Sequence, residues 1–429
     1  MDKCVSKEIA EYVYEVKLGG ETIVYAPILG VSKRIGLGVE DVRRIVPVDE
    51  LSSRSLALVE KCDAKILRTV KSPCDMDNIV ILPNHKCNFS CSYCYAAKGR
   101  SKEELDIGTL GVVLDWFLDK DRIPENDLYI FIVGGGEPTM SWGVIEEIVR
   151  RVSEARKTRR RKIAVAMTTN GSLITEEKAM FLAASDIMVN VSFEVIREVQ
   201  HQQRGPSEDV EHGIELLQKA GARFAIRATV SPLSVDRMPE MVDIVLRKFP
   251  RVRRLNLEAI LAGKKVFDSA DSLRSFLARF KVGLAEAKRK GGDSGLKVMS
   301  AACLDMTILK DRFCKGDLCL TPRGEITICR RISSPNENAF PQAVFGRVEK
   351  GQLRFDETDY QRALKFSLDD RNLCRQCFLR WHCGGLCISQ QTMFPRDYYD
   401  VLCDVMREEG FGNLKSRIDG QGVPAHLEQ

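Results

Sequence analysis

The sequence predicts an α/β fold built on a parallel sheet, and three observations carry that reading. Six short, almost continuously apolar runs recur along the middle of the chain, with helical stretches between them. Glycines, cysteines and small polar residues gather just after these runs. The last third then becomes loop-rich and dense in cysteine. Continuous apolar runs mark strands buried on both faces, as in parallel sheets.

The runs are Asn78–Pro83, Leu128–Val133, Ile163–Met167, Ile187–Val191, Phe224–Val230 and Leu255–Ile260. Helical stretches fall at about 102–120, 142–157, 175–184, 208–220, 236–248 and 271–290. Six β/α units in series imply a parallel sheet, open or curled toward a partial barrel. Before residue 75, Tyr12–Leu18 and Glu21–Tyr25 alternate in polarity around Gly19-Gly20, the signature of a β-hairpin. Short helices near 39–45 and 50–60 complete a small α+β appendage. The end, Gly420-Gln421-Gly422-Val423-Pro424-Ala425-His426, reads as frayed. The expected division is 1–75 appendage, 76–300 barrel, 301–410 cysteine-rich domain and 411–429 tail.

A chain of 429 residues, 44% hydrophobic and 29% charged, has the composition of an ordinary globular protein. A net charge of +5 makes no case for nucleic acid. The charged start has no secretory h-region, and no apolar run approaches a membrane span. A cytoplasmic enzyme without a membrane partner is the expectation. In that compartment fifteen cysteines point to metal ligands rather than disulfides. Three lie in 87–94, eight between Cys303 and Cys387, and Cys403 follows. Cys4, Cys62 and Cys74 are scattered and read as packing residues or unpaired thiols.

The special residues follow the strands. The first run leads into the loop K-C-N-F-S-C-S-Y-C-Y, with Cys87, Cys91 and Cys94 spaced C-x3-C-x2-C. A four-iron cluster is normally held by four thiolates, so three leave one iron open, as catalytic metal sites require. Zinc ligands come as C-x2-C pairs closed by a second pair, which the leading x3 gap fits poorly. Gly134-Gly135-Gly136-Glu137-Pro138 follows the second run, and Thr168-Thr169-Asn170-Gly171 the third. Ser192-Phe193-Glu194 ends the fourth, and Arg227 and Thr229 lie toward the end of the fifth. Parallel α/β folds place active sites at these carboxyl ends, so five segments converge on one mouth.

The cysteine loop after a first strand, with Gly-Gly-Glu-Pro after the second, resembles the radical S-adenosylmethionine (SAM) superfamily. The resemblance implies a partial (β/α)6 barrel. Cys87, Cys91 and Cys94 would hold a [4Fe-4S] cluster, and SAM would chelate its open iron. One-electron reduction then yields a 5′-deoxyadenosyl radical that abstracts a substrate hydrogen. By the same resemblance Gly135, Gly136 and Glu137 would approach the SAM amino group, and Tyr93 would lie near the adenine. Asn170 and Ser192 would donate to the ribose or carboxylate. Arg204 is a candidate for that carboxylate, with a surface role as its alternative and Arg227 as its rival. The family pattern S-x-D-G becomes Ser192-Phe193-Glu194-Val195 here, one methylene longer in the acid and without the glycine.

The C-terminal cysteines carry an independent signal. Cys314, Cys329, Cys374, Cys377, Cys383, Cys387 and Cys403, with Gly324 between the first two, resemble the seven-cysteine SPASM domain of radical enzymes that modify peptides. A zinc-ribbon pair is the plainer alternative. The resemblance implies a loop-rich iron–sulfur domain with two auxiliary clusters, three in all. Cys314, Cys329 and Cys387 would serve the first; Cys374, Cys377, Cys383 and Cys403 the second. Cys303 is favoured as the missing fourth ligand over Cys319, whose strand-like context suits packing; with neither bound, that iron is open to substrate. In sulfatase-maturing relatives an aspartate follows the cysteine matching Cys329 and is a candidate base. Arg330-Arg331 stand there instead, and arginine cannot act as an ordinary base at neutral pH. Asp305, Asp317 and Glu325 are the remaining base candidates.

The basic run Arg156–Lys162 enters the third strand from the end away from the mouth and reads as a solvated face, with an acidic partner as the sharper alternative. Trp381 reads as packing beside a cluster. The expected substrate is a ribosomally made precursor peptide, receiving a crosslink, thioether, epimerisation or oxidation. Flavodoxin or ferredoxin would be the reductant, and the N-terminal hairpin a candidate leader-binding edge. The alternatives are a sulfatase maturase or small-molecule dehydrogenase of the same superfamily, and a non-catalytic metal-bound regulator.

Overall fold

The computed structural model describes residues 72–260, 262–301, 312–364 and 394–418, four strands before residue 46, and parts of 304–310 and 374–387. Two compact units result. One takes Val70–Ala302 with Gly316–Leu364, the other Met1–Thr69 with Cys303–Lys315 and Lys365–Gln429. This differs from the expected sequential division, and hydrogen bonding and packing explain why.

In the larger unit the six expected strands form as β5 (Asn78–Ile81), β6 (Leu128–Ile132), β7 (Ile163–Thr169), β8 (Met188–Ser192), β9 (Phe224–Val230) and β10 (Arg254–Ala259). The helices between and after them are α1 (Ile107–Phe117), α2 (Trp142–Thr158), α3 (Glu176–Ala184), α4 (Arg197–Gln203), α5 (Ser207–Lys219), α6 (Met238–Lys248) and α7 (Ala270–Asp293). Capping sets several of their starts: Asp106 accepts from Thr109 N at 2.8 Å, and Ser269 and Ser272 form a capping box. Only α4 has no counterpart in the sequence reading.

The parallel strands run β5 to β10 in sequence order, each beside the last. Two further strands join the edges. β11 (Lys297–Met299) pairs parallel with β10, and β12 (Leu318–Leu320) pairs parallel with β5. Three residues are too few for periodicity to reveal. Through β12 the sheet continues into antiparallel β13 (Glu325–Thr327), β14 (Val344–Glu349) and β15 (Gln352–Phe355). That is why 316–364 joins the barrel unit. The architecture is a partial barrel extended by C-terminal antiparallel strands.

The strands are not buried equally on both faces, which corrects the continuous-apolar reading. Leu128, Ile130, Ile132, Val165, Met167, Val189, Val191, Leu255 and Leu257 are buried. Their alternate neighbours Phe131, Thr168, Asn190, Ser192, Thr229, Asn256 and Glu258 are half-buried, and Arg227 is exposed. This second face lines the concave interior, whose period-2 polarity short apolar-looking runs disguise.

In the smaller unit β1 (Tyr14–Leu18), β2 (Glu21–Ala26), β3 (Val31–Leu37) and β4 (Arg44–Ile45) form an antiparallel sheet in the order β3-β2-β1-β4. The register Leu18↔Glu21 fits the expected hairpin, whose Gly19-Gly20 turn lies outside the described residues. The helix expected near 39–45 meets a strand at Arg44–Ile45 instead, and the one near 50–60 lies outside the described residues. Tyr14, Val16 and Tyr25 share a core with Leu304, Met306, Phe378, Leu379 and Leu414, so N- and C-terminal segments fold together. Helix α8 (Arg396–Ile418) runs through the boundary expected at 410. No helix among the described residues is long and apolar enough to cross a membrane.

Within the basic run, Arg156, Lys157 and Arg160–Lys162 are exposed, as expected of a solvated face. Arg159 departs from it. Its buried guanidinium donates to the carbonyls of Asp119, Arg122, Ile123 and Asn126 and ties down the loop before β6.

Candidate active site

The carboxyl ends of β5 to β9 carry the site. After β5 the chain passes through buried Asn84, which holds two loops together. Its Nδ2 donates to Glu137 O (3.0 Å) and Ser141 Oγ (2.8 Å), and its Oδ1 accepts from Lys86 N (2.9 Å). Glu137 N donates to Lys86 O at 2.6 Å, and Gly136 N to Asn84 O at 3.1 Å. The glycines are required by this approach: a Cβ on Gly136 would lie 1.8 Å from Lys86 O, and one on Gly135 2.3 Å from the His85 ring.

Cys87, Cys91 and Cys94 are half-buried and electrostatically coupled. Burial pushes the Cys87 and Cys91 thiols up, while cations offset it: Arg100 acts on both, and Arg204 on Cys91. Arg100 Nη2 lies 3.8 Å from Cys94 Sγ, and Cys87 accepts from the Phe89 backbone N–H. Thiolates are the ligand form, and neighbouring guanidinium groups and N–H donors favour it. This donor set fits an iron–sulfur cluster.

Glu137 is buried and turned inward. One oxygen accepts from Thr139 N (3.1 Å), Thr139 Oγ1 (2.7 Å) and Thr169 Oγ1 (2.6 Å), the other from Asn170 N (2.7 Å). Its carboxylate thus clamps the glycine loop to the end of β7, and the loop backbone is what remains to meet an amino group. Asn170 Nδ2 donates to Asn88 Oδ1 at 2.9 Å, tying the β7 end to the cysteine loop. Ser192 is half-buried at the end of β8.

Beside Cys91 lies a triad built on the buried Glu194. Glu194 accepts from Tyr93 Oη, from Arg204 Nη1 (3.3 Å) and from Thr229 N (2.8 Å), and Arg204 Nη1 also donates to Tyr93 Oη (2.9 Å). Burial raises the Glu194 carboxyl and Arg204 opposes it. Burial acts to lower the Arg204 pKa, but Tyr93, Glu194 and Cys91 override it, so the guanidinium stays charged. Arg204 Nε is buried without a hydrogen-bond partner, an orphaned donor that suits a carboxylate. The surface alternative for Arg204 is excluded, whereas Arg227 is 47% exposed and 3.7 Å from Glu258. Val195, where the family pattern has glycine, has a positive φ of +65°, and Ile196 N donates to Glu194 O at 2.7 Å across it.

Several participants escaped the sequence reading. Phe89 packs on Gly205, and Ser92 N donates to Gln203 O at 2.9 Å, so the end of α4 seats the cysteine loop. Asn84 and Thr139 carry no motif of their own that could have marked them.

Of the base candidates, Asp317 is held bidentately by Arg330 (both contacts 2.9 Å), and Glu325 accepts from Thr321 Oγ1 (2.5 Å) and Arg323 Nε (3.2 Å). Asp305 and Cys303 lie outside the described residues. Cys319 is fully buried on β12 with Val80, Leu82 and Val133.

In the smaller unit Cys374, Cys377 and Cys383 all act electrostatically on Cys403, whose thiol burial pushes up to about 12. Cys383, pushed up to about 11 by burial, accepts backbone N–H bonds from Leu386 and Gly385. Gly384, Gly385 and Leu386 all have positive φ, curling the chain around that sulfur. Cys314 and Cys387 belong to this unit, Cys329 to the other.

Residues 81–245 match the radical SAM superfamily. They form a radical SAM domain. Among curated proteins, the radical SAM cyclopropyl synthase TigE of Paramaledivibacter caminithermalis is 23% identical over 348 residues, 72% of this chain and 67% of that one. The chain spans 63% or less of the other curated relatives it matches. The fold of native anSMEcpe with bound AdoMet and Kp18Cys peptide matches with TM-score 0.61 at 17% identity, covering 80% of this chain and 99% of that one. Streptococcus suis SuiB bound to precursor peptide SuiA matches with TM-score 0.55 at 16% identity, covering 77% and 76%. The radical SAM domain thus includes the cysteine loop, the glycine loop, the β7 end and the Tyr93–Glu194–Arg204 triad.

Proposed function

We propose that this protein is a radical SAM/SPASM enzyme that abstracts hydrogen from a residue of a ribosomally synthesised precursor peptide, installing a crosslink, thioether, epimerisation or oxidation. The observation that carries the reading is the cradle beside the three coupled thiols: an orphaned, charged Arg204 donor held by Glu194 and Tyr93. A cluster bound by Cys87, Cys91 and Cys94, with SAM on its open iron, supplies a 5′-deoxyadenosyl radical on one-electron reduction.

The chain's own residues bind and orient. Arg204 takes the SAM carboxylate, and Glu194 fixes its direction while Thr229 N fixes Glu194. Glu137 holds the glycine loop against the cysteine loop, presenting backbone rather than carboxylate. Cys374, Cys377, Cys383 and Cys403 hold one auxiliary cluster, with two N–H donors on Cys383 tuning it. Cys314, Cys329 and Cys387, with Cys303, hold the other. Flavodoxin or ferredoxin serves as reductant. The precursor-peptide assignment is supported by the fold shared with SuiB and anSMEcpe, whose structures hold peptides.

A sulfatase-maturase-like reading is less well supported, because Arg330 occupies the base position and itself neutralises Asp317. The test is anaerobic reconstitution, reduction with dithionite in the presence of SAM, and chromatography for 5′-deoxyadenosine. Formation in the wild type and its loss in Cys94→Ala are expected; no product from wild type rejects the reading. Mass spectrometry of a short peptide encoded beside the gene, seeking loss of two hydrogens, then separates peptide modification from small-molecule chemistry.

A further inference from the structure

The concave face of the sheet carries more positive charge than it neutralises. Among the described residues, Arg227, Arg254, Arg330 and Arg331 together make ion pairs with two carboxylates, Glu258 and Asp317. Arg330 and Asp317 satisfy each other bidentately, and Arg330 lies 5.4 Å from the Phe131 ring. Arg254 leans on Asn190 Oδ1 at 3.4 Å. Glu258 is held by Ala301 N (3.0 Å) and touches Arg227 through one long contact of 3.7 Å, leaving most of that guanidinium free. Arg331 has no ion pair among the described residues; its guanidinium lies 5.3 Å from the Tyr95 ring, beside the Cys94 loop. Arg227 and Arg331 both favour the charged form of the Glu258 carboxyl, against the larger upward push of burial.

A fixed cation in a walled cavity focuses its field on whatever enters. Guanidinium groups with free forked donors are suited to carboxylates. Tyr95 Oη is tied to Gly134 O at 3.1 Å, so the ring beneath Arg331 is itself fixed.

We propose that Arg331, with Arg227, binds a carboxylate of the peptide substrate inside the barrel, from an acidic side chain or a chain terminus. The inference rests on the function proposed above and assigns its substrate chemistry: the modified residue lies at or next to a carboxylate. It also gives the Arg330-Arg331 pair two separate tasks, Arg330 closing off Asp317 and Arg331 reading the substrate.

The test uses the reconstituted protein with SAM and three synthetic probes, titrated by calorimetry under anaerobic conditions. They are acetyl-Gly-Asp-Gly-amide, its Asn counterpart, and acetyl-Gly-Asn-Gly with a free carboxyl end. At least one carboxylate probe is expected to bind about tenfold tighter than the uncharged one, and which one does so identifies the source. Arg331→Gln and, separately, Arg227→Gln should reduce that preference to about twofold or less, whereas Arg161→Gln on the outer basic run should keep it. Iron content and circular dichroism establish that each variant is folded. Equal affinity for all three probes, including no measurable binding of any, overturns the inference, as does a preference that survives in Arg331→Gln. A wild type that cleaves SAM but does not discriminate rejects this inference alone; one that cannot cleave SAM rejects the function beneath it.

Discussion

Replacing Gly136 by alanine tests whether the glycine loop positions the cysteine loop. The new Cβ would meet Lys86 O at 1.8 Å and Asn84 Oδ1 at 2.4 Å. Reaching an ordinary 3.4 Å contact requires a shift of about 1.6 Å, and the obstacle is backbone rather than a flexible side-chain end. That shift breaks the bonds from Glu137 N to Lys86 O and from Gly136 N to Asn84 O. Two lost hydrogen bonds at about 1 kcal/mol each, with overpacking strain of about 1–3 kcal/mol, give a local cost of about 3–5 kcal/mol. Lys86 precedes Cys87, so the displacement reaches the first thiolate. The three four-iron clusters proposed above would correspond to about twelve irons per chain, and Gly136→Ala should retain about eight, with no 5′-deoxyadenosine formed. Gly143→Ala is the control: nothing lies within 4 Å of its Cβ, and a helix gains from alanine. A Gly136→Ala protein with full iron and the wild-type unfolding midpoint would refute the reasoning.

Three further outcomes are expected. Cys319→Ala should leave the iron count unchanged, because Cys319 is packed on β12; a loss of about four irons would make it a ligand. Arg159→Ala should cost about 3 kcal/mol in denaturant unfolding, since four loop carbonyls lose their shared donor; Arg160→Ala should cost less than about 0.5 kcal/mol. At Val195, where φ is +65° and Ile196 N closes a γ-turn on Glu194 O, the Gly variant should be at least as stable as the Ala variant. At an unstrained position glycine would trail by about 0.5–1 kcal/mol, and observing that here would remove the strain argument.

What was legible in the sequence depended on how far each signal extended. Strands of four to seven residues followed by long helices were readable, and the observed bounds of β5 to β10 lie within two residues of the expected ones. β11 and β12 have three residues each, too few for any period, and β12 owes its existence to the ladder offered by β5. Residue types with scarce alternatives, such as closely spaced cysteines and consecutive glycines, marked the loops that form the site. The contacts within it were not legible. Nothing in Glu137 says that its carboxylate turns toward Thr139, Thr169 and Asn170. Arg204 read equally as a surface residue until α4, itself unforeseen, carried it under Tyr93.

With Cys87 and Cys329 holding clusters as proposed, the pairing of β12 with β5 would bear on electron transfer. Leu318, Cys319 and Leu320 sit opposite Ile79, Val80 and Ile81, and Leu82 N bonds to Leu320 O at 3.0 Å. One strand of that pair leads into Cys87; the other returns through β13 to Cys329. The separation of those two sulfurs is therefore built into a backbone ladder inside one unit. Tunnelling rates depend steeply on distance, and here the distance is as rigid as strand register. A one-residue slip would change that separation by about 3.3 Å and move Cys319 to the opposite, equally buried face of its strand.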